Sequence, residues 1–429
     1  MKIGIVGGGV SGLYAAWHLA KSHDVVLFEA DDRLGGHADT QLVDSPGGTV
    51  AVDSGFIVFN ETNYPLFTRW LEQLGVVWKP SDMSFAVSDA VSGIEYNATR
   101  LSTLFCQRRN LLRPSFISMV GDILKFYRQA PELLDTIDDQ ITLGGWLSTS
   151  GFGRSFGELH LMPMASALWS APMGKIRDFP MRHLLAFMDH HTMLQVDQRP
   201  QWKTIDGGSR EYVEKARPGC GNVQLDCAVR RINRRSDHVL IQTDQDELQV
   251  DQIILACHSD QALQLLDDAN TEERAVLGAI GYQDNETVLH TDTRLLPRNP
   301  KARASWNVRR DRQDSDQCRV SYYMNRLQGF PDGAHNGTDY IVSLNQTELI
   351  DPACVLVKRQ YQHPVFTPEA VQAQQRWSDI NGKQRTWFCG AWWGWGFHED
   401  GTRSAQRVIE HIDKQDCDQY AEPRPAKAS

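Results

Sequence analysis

Two stretches of the chain hold residue types at spacings that could do chemistry. The first is Gly7-Gly8-Gly9-Val10-Ser11-Gly12, a G-x-G-x-x-G turn. Ile3 to Val6 before it reads as a short buried strand, and Leu13 to Lys21 after it reads as a helix. That strand-turn-helix context is the one in which such a turn binds a dinucleotide. Gly7 permits the tight turn, Gly9 lets the backbone approach a pyrophosphate, and Gly12 lets the helix pack closely on the sheet. The helix N-terminus then offers free N–H groups and a positive dipole end to the phosphates. Glycines also mark ordinary turns, but here the unit continues. Val25 to Phe28 reads as a second strand, and Glu29 ends it, 17 positions beyond Gly12. An acid there accepts hydrogen bonds from ribose hydroxyls and repels a 2′-phosphate, which disfavours NADP.

The second stretch is Trp392-Trp393-Gly394-Trp395-Gly396-Phe397-His398-Glu399-Asp400-Gly401. Arg385 to Ala391 before it reads as a strand and turn, and Thr402 to Ile412 after it as the final helix. The tryptophans could simply fill a core. Glycines between aromatics, however, favour close approach of the chain to a flat ligand. His398-Glu399-Asp400 is a poor metal site, because adjacent residues rarely converge on one ion, and helix capping accounts better for the two acids. No metal site is expected elsewhere. His190 and His191 would point apart on a helix, and no H-E-x-x-H occurs.

Arg33-Leu34-Gly35-Gly36-His37, Asp53-Ser54-Gly55-Phe56 and Ile205-Asp206-Gly207-Gly208-Ser209-Arg210 extend the pattern. With them the chain resembles the FAD-containing amine oxidases, phytoene desaturases and their relatives. The resemblance implies FAD as cofactor. It implies contacts from Gly7, Gly9, Val10, Ser11, Gly12, Glu29, Ala30, Arg33, Gly35, Gly36 and His37, where the family often has Arg in place of His37. It further implies contacts from Asp53, Gly55 and Phe56, from the backbone of Val229, and from Gly390, Phe397, His398, Glu399, Asp400 and Gly401. The final helix N-terminus would stabilise negative charge at flavin N1 and the C2 carbonyl. Gly396 to Gly401 with Arg403 and Ser404, Ala167 to Ser170, His258 to Gln261 and Tyr361 to Pro364 are similar to a bacterial group of predicted FAD-binding oxidoreductases. Members of that group are often encoded beside cyclopropane fatty-acyl-phospholipid synthases.

Behind these stretches must stand elements that position them. A chain of 429 residues suggests two or three folding units. Hydrophobic content of 41% and charged content of 23% are those of a globular protein. The expected fold class is α/β: a Rossmann-type FAD-binding domain with a discontinuous α+β substrate domain, as in flavin amine oxidases. Residues 1–84, 199–260 and 375–417 are expected to form the first, 85–198 and 261–374 the second, and 418–429 a flexible tail. The Val50 to Phe59 stretch reads as a core strand and its turn, and Tyr64 to Leu74 as an amphipathic helix stopped by Gly75. Phe85 to Val87 and Ile94 to Tyr96 read as a hairpin. Leu104 to Leu134 is helical in character with a break near Pro114, and Leu143 to Leu147, Phe156 to Leu161 and Met181 to Met193 suggest further helices. Thr287 to His290, Arg319 to Met324 and Tyr340 to Leu344 read as strands of the substrate-domain sheet, with no catalyst evident from spacing.

A net charge of −10 argues against general nucleic-acid binding. Cys106, Cys220, Cys227, Cys257, Cys318, Cys354, Cys389 and Cys417 form no C-x-x-C, so neither zinc nor a disulfide framework is expected, and a reduced cytoplasm is the natural location. A strand at residue 2 leaves no room for a signal peptide, and no apolar run reaches membrane-spanning length. Leu104 to Arg128 is locally basic and amphipathic. Such a segment can lie at the inner face of a membrane as a peripheral contact. The preferred reading is an ordinary helix pair with its apolar faces packed inward.

The expected chemistry is hydride transfer between a C–H bond and flavin N5. The resemblance implies an unsaturated long acyl chain as substrate, in a fatty acid or a phospholipid, with dehydrogenation, desaturation or double-bond isomerisation as the outcome. An amine oxidase using oxygen and a non-catalytic FAD-binding partner of a lipid methyltransferase are the alternatives. Trp395, Phe397, His398 and Trp169 are the candidate catalytic residues, and Phe105, Leu112, Phe116, Met164 and Leu168 join Trp169 as candidate tunnel lining. No general base can be placed. The lysine found near the flavin in many amine oxidases has no identifiable counterpart.

Overall fold

The computed structural model describes residues 1–195, 197, 199–311, 319–330 and 335–420; the side chains of 416–420 are outside the description. Two compact units are formed. The first contains Met1–Gly36, Val213–Ala279 and the described part of Ala373–Ser429, and the second His37–Tyr212 and Ile280–Gln372.

Unit one is built on a five-stranded sheet in the order Thr386–Phe388, Gln252–Leu255, Lys2–Val6, Asp24–Phe28, Asn222–Gln224. All its neighbours run parallel. Ile3, Ile5, Leu27, Ile253, Ile254, Leu255 and Phe388 are completely buried, as expected of a parallel sheet covered on both faces. The Val10–Leu19 helix leaves the end of the central strand. The chain goes to opposite sides of that strand in its two halves, so the turn lies at a topological switch point, where open α/β sheets bind ligands. Val229–Arg234, Val239–Thr243 and Glu247–Val250 form an antiparallel meander. Gly4 lets the meander sit close on the sheet, since a Cβ there would lie 2.4 Å from Ile241 Cδ1. The closing helix runs His398–Tyr420, four residues earlier than the pattern suggested. Residues 418–420, expected in the tail, are its last turn, because they continue its backbone hydrogen bonding; 421–429 lie outside the described residues.

Unit two is built on a seven-stranded sheet in the order Val355–Val365, Gly281–His290, Ile341–Leu344, Val320–Tyr323, Trp306–Arg310, Phe85–Asp89, Ile94–Asn97. Only Trp306–Arg310 and Phe85–Asp89 pair in parallel; the other neighbours are antiparallel. Residues 37–84 cluster with this unit and not with the N-terminal strand. The reason is apolar packing: Val50, Val52 and Ile57 share one buried cluster with Val308, Val320, Val342 and Leu344. Pro114 does not break a helix but opens one, Pro114–Thr136, at the first position, where its missing N–H costs nothing. Before it, Arg108–Leu112 is a 3₁₀ turn. Phe156–Leu161 is not a separate helix: Arg154–Phe156 runs through a π turn, Gly157–Leu161, into Met162–Trp169.

Candidate functional site

The glycine turn of unit one has the geometry its spacing predicts. Gly7 has φ +104°, and a Cβ there would meet the backbone of Ala256 at 2.9 Å. A Cβ at Gly12 would lie 1.8 Å from the Gly7 carbonyl. Gly9 differs: it has φ −72°, and nothing lies within 4 Å of where its Cβ would be. It is also the N-cap of the Val10–Leu19 helix and has no side chain to satisfy the first N–H groups. An open face beside uncapped N–H groups is what a pyrophosphate requires. The Gly35-Gly36 doublet is drawn to the same turn. Gly35 N donates to the Gly8 carbonyl at 2.8 Å, and Gly36 comes so close to Gly9 that a Cβ would lie 3.3 Å from its Cα. Arg33 braces the doublet by donating to the Gly36 carbonyl at 3.0 Å.

Glu29 stands at the end of its strand, half-buried, with Ala30 exposed beside it. Its carboxylate accepts from Gly8 N at 2.7 Å and Asp31 N at 3.0 Å. A carboxylate has about four acceptor positions, so capacity for ribose hydroxyls is left. Val229 begins the meander at an irregular register with Thr243.

The closing segment meets the turn inside the same unit. A Cβ at Gly401 would lie 2.8 Å from both Ser11 Oγ and Val10 Cγ1, so this glycine lets the two helix starts converge. Tyr14 Oη donates to Gln406 Oε1 at 2.9 Å one turn further on. Asp400 organises the loop before the helix: its Oδ2 accepts from Trp395 N at 3.1 Å and Phe397 N at 3.0 Å. That is the return half of a capping box. Burial pushes the Asp400 carboxyl up to about 6, against the opposing pull of the backbone donors and Arg403. Gly390 N donates to Ser404 Oγ at 2.9 Å. The aromatics divide by role. Trp392 is buried and donates to the Cys257 carbonyl at 3.2 Å, and Trp393 stacks on it while donating to the Phe388 carbonyl at 3.1 Å. Trp392 belongs to the core, and the half-buried Trp393 is fixed against it. Trp395 and Phe397 stay half-buried and can face a flat ligand, whereas His398 and Glu399 are buried in the first turn of the helix.

His37, Asp53, Gly55, Phe56 and Trp169 belong to unit two. A Cβ at Gly55 would lie 2.1 Å from the His37 carbonyl, which accepts from Phe56 N at 2.7 Å. The Asp53 carboxylate is spent on the fold. It accepts from Thr40 Oγ1 at 2.6 Å, Ser209 N and Oγ at 2.8 Å each, and Gln328 Nε2 at 3.0 Å. Desolvation raises it to about 6 despite those donors. The D-x-G and Gly-Gly-Ser-Arg segments are thus joined through Asp53, with Gly208 at φ +87° pressed against Thr40. Trp169 is a core side chain, its ring 4.3 Å from Phe179 and 5.0 Å from Phe187. Leu112 cannot line a tunnel, because it stands 87% exposed at the end of the 3₁₀ turn. Phe116 is fully buried and packs against Tyr96 and Phe105.

A polar network on the Val355–Val365 strand was not foreseen as a unit. Arg359 Nε and Tyr361 Oη both donate to Asp39 Oδ2, at 2.9 and 2.8 Å. His37 stacks on Tyr361 at 5.1 Å and meets His363 edge-on at 5.3 Å, and His363 Nδ1 lies 2.8 Å from Asn285 Nδ2. The signal was the strand period: 359, 361 and 363 alternate onto one face. Among the described residues no group of three or more His, Cys, Asp or Glu could hold a metal ion. Cys106, Cys220, Cys227, Cys257, Cys354 and Cys389 are free thiols; Cys318 and the Cys417 side chain lie outside the description.

Comparison with known proteins agrees with this geometry. The model of the flavin containing amine oxidoreductases matches residues 10–348. AofH of Mycobacterium tuberculosis (strain H37Rv), whose name places it among the flavin-containing monoamine oxidases, is 25% identical over 263 residues. The match covers 59% of this chain and 56% of AofH, so the chain spans about half the length of that relative. Two solved structures share the fold: cyclohexylamine oxidase from Brevibacterium oxydans and a CLA-producing fatty acid isomerase from P. acnes. Their TM-scores are 0.71 and 0.69, at 16% and 13% identity. Both alignments cover 96% of this chain, with 99% and 98% of those chains. The glycine cradle, the convergent closing helix and the family match together mean that the chain belongs to the flavin containing amine oxidoreductases and that its cofactor is FAD.

Proposed function

We propose that the protein is an FAD-dependent oxidoreductase that acts on an unsaturated long acyl chain, in a fatty acid or a phospholipid. FAD, when bound, takes a hydride from a C–H bond at N5. That chemistry would support double-bond isomerisation, which needs no outside oxidant, or desaturation with oxygen or another two-electron acceptor as the oxidant. The chain's part is to hold the reacting carbon and exclude water. Gly9 and the helix N-terminus would hold the diphosphate and Glu29 the ribose, with Trp395 and Phe397 against the ring.

The observation that carries the acyl reading is the state of the buried acids in unit two. Asp39, Asp53, Asp89, Glu95 and Asp292 are buried, and each already has an internal partner. Asp39 holds Arg359 and Tyr361, Asp53 holds Ser209 and Gln328, and Asp89 holds Ser92. Glu95 accepts from the backbone of Arg298 and Asn299, and Asp292 pairs with Arg294. Each of these carboxylates is thus already engaged within the fold, and none stands apart as a dedicated anchor for a cationic amine. An acyl chain needs no charged anchor, because each methylene buried contributes about 0.8 kcal/mol. The likeness in fold to the CLA-producing fatty acid isomerase from P. acnes supports this reading. Amine oxidation is the second reading, favoured by the names of AofH and cyclohexylamine oxidase.

The test is anaerobic mixing of the holoprotein with unsaturated phospholipids, free fatty acids, cyclohexylamine and polyamines, followed by product mass spectrometry. The expected result is flavin bleaching by a lipid, or an isomerised lipid without net bleaching, slowed at least tenfold in Phe397→Ala. Bleaching by an amine with every lipid unchanged overturns the acyl reading. No reaction with either class, together with binding to a lipid methyltransferase, would instead mark a non-catalytic flavoprotein.

A further inference from the structure

Leu104 to Arg128 packs inward only in part: Phe116, Met119 and Phe126 are buried, but several of its apolar residues, with Leu101 before them, face outward. Leu101 is 75% exposed, Leu111 54% and Leu112 87%, and Ile117 and Leu124 are about half exposed. These are half of the exposed large apolar residues among those described, gathered within one short segment. On the Pro114–Thr136 helix the inner face is complete without them, with Phe116, Met119, Phe126 and Ala130 buried. Ile117, Gly121, Leu124 and Arg128 recur at i, i+4, i+7 and i+11, so they form a second stripe that no part of unit two covers.

The leucines before the helix are also held rigidly outward. Arg109 Nη2 donates to the Gly93 carbonyl at 2.6 Å, Gln107 Oε1 accepts from Glu95 N at 3.1 Å, and Asn110 Nδ2 donates to the Glu95 carbonyl at 3.4 Å. The 3₁₀ turn is therefore clamped to the hairpin, whose own tip presents Val91 at 60% exposure. Around this apolar face stand the exposed Arg100, Arg108, Arg109, Lys125 and Arg128, against Asp122 as the one acid between Arg100 and Arg128, in a chain of net charge −10.

We propose that this face docks on an anionic lipid bilayer, with Leu111 and Leu112 inserted among the acyl chains and the helix lying in the interfacial plane. Exposed aliphatic tips ringed by Lys and Arg are the signature of interfacial binding, in which apolar burial and attraction to anionic headgroups act together. Charge decides against a second copy as the occupant: a twofold contact through this face would set its excess of basic groups against the same groups. It also lacks the exposed aromatics on which single-stranded nucleic acids stack. No helix of the described residues is long and apolar enough to cross a membrane, so the helix would lie in the surface and not span it. The proposal does not rest on the substrate reading, and its test does not use turnover.

The full-length holoprotein is floated with vesicles of phosphatidylcholine alone and with vesicles in which about a third of the lipid is phosphatidylglycerol. Binding is expected to the anionic vesicles alone and to fall steeply with added salt. The double variant Leu111→Asn, Leu112→Asn should lose at least tenfold in affinity while keeping its FAD absorbance and melting temperature, since both side chains contact solvent. Arg108→Gln and Arg128→Gln should each cost roughly fivefold. Absence of binding to anionic vesicles, equal binding to both compositions, or undiminished binding by the leucine variant overturns the proposal. So does a dimer in light scattering that the leucine variant dissolves, with no vesicle binding by either form.

Discussion

A single glycine offers the cleanest probe of the cofactor cradle. Gly9 has ordinary backbone angles and open space where a Cβ would go. Gly9→Asp should therefore fold, unlike a substitution at Gly12, where a Cβ would collide with the Gly7 carbonyl. What it adds is a carboxylate beside a diphosphate. Two unit charges about 4 Å apart at an effective dielectric near 20 repel by about 4 kcal/mol, so FAD affinity should fall at least a hundredfold. Flavin absorbance of the purified variant and FAD titration by fluorescence quenching measure this directly; full FAD content would displace the site from the turn. Glu29→Ala removes one charged acceptor, an effect of about 1.5–3 kcal/mol. It should weaken binding tenfold to a hundredfold while leaving the bound flavin spectrum unchanged.

The closing helix depends on Asp400 at its first turn, and that dependence is visible in pH. Burial raises the carboxyl from 3.8 to about 6. Between those values the native state keeps a proton that the unfolded chain has released. The stability this group contributes is thus complete below about pH 4 and is lost as pH rises through about 6. Asp400→Asn cannot titrate. Its side-chain oxygen can still accept from Trp395 N and Phe397 N, and its amide would occupy the position of Oδ1, which has no hydrogen-bond partner among the described residues. The stability of the variant minus that of the parent should therefore rise between pH 4 and 7, by roughly 3 kcal/mol at most, at 1.36 kcal/mol per pKa unit. Chemical denaturation at several pH values in that range measures the difference. A gap that stays constant with pH would mean that Asp400 does not titrate in this window.

Across the whole molecule, cofactor binding and stability are linked. A ligand that binds only the native state stabilises it by about 2.7 kcal/mol at a hundred times its Kd. The apoprotein should accordingly melt at a higher temperature as FAD is added, and Gly9→Asp apoprotein should show a far smaller shift at the same FAD concentration, about 0.4 kcal/mol or less. Scanning fluorimetry of both forms, monitored through their tryptophans, distinguishes a lost cofactor from a lost fold. Membrane docking and turnover are read by other measurements, so either can fail without the other.

Much of this was legible in the order of residues, for a physical reason: it depends on local backbone and period. The glycine turn, the parallel strands around it and the closing glycine-aromatic segment each follow from conformations available to a few successive residues. The family resemblance then implies that the glycine turn and the closing segment serve one cofactor. Other features depend on distant partners, which no local pattern specifies. Asp53 reads as a ligand contact in sequence, but Thr40, Ser209 and Gln328 converge on it and consume its carboxylate. Trp169 reads as a substrate residue, yet Phe179 and Phe187 enclose it. Residues 37–84 follow the first domain in chain order but join the second unit, because Val50, Val52 and Ile57 find their apolar partners there. Periodicity showed that the Pro114–Thr136 helix is amphipathic; only packing decided that Phe116 and Phe126 turn inward while Leu112, Ile117 and Leu124 remain outside. Burial is a property of what lies opposite a side chain, and that is settled when the elements meet.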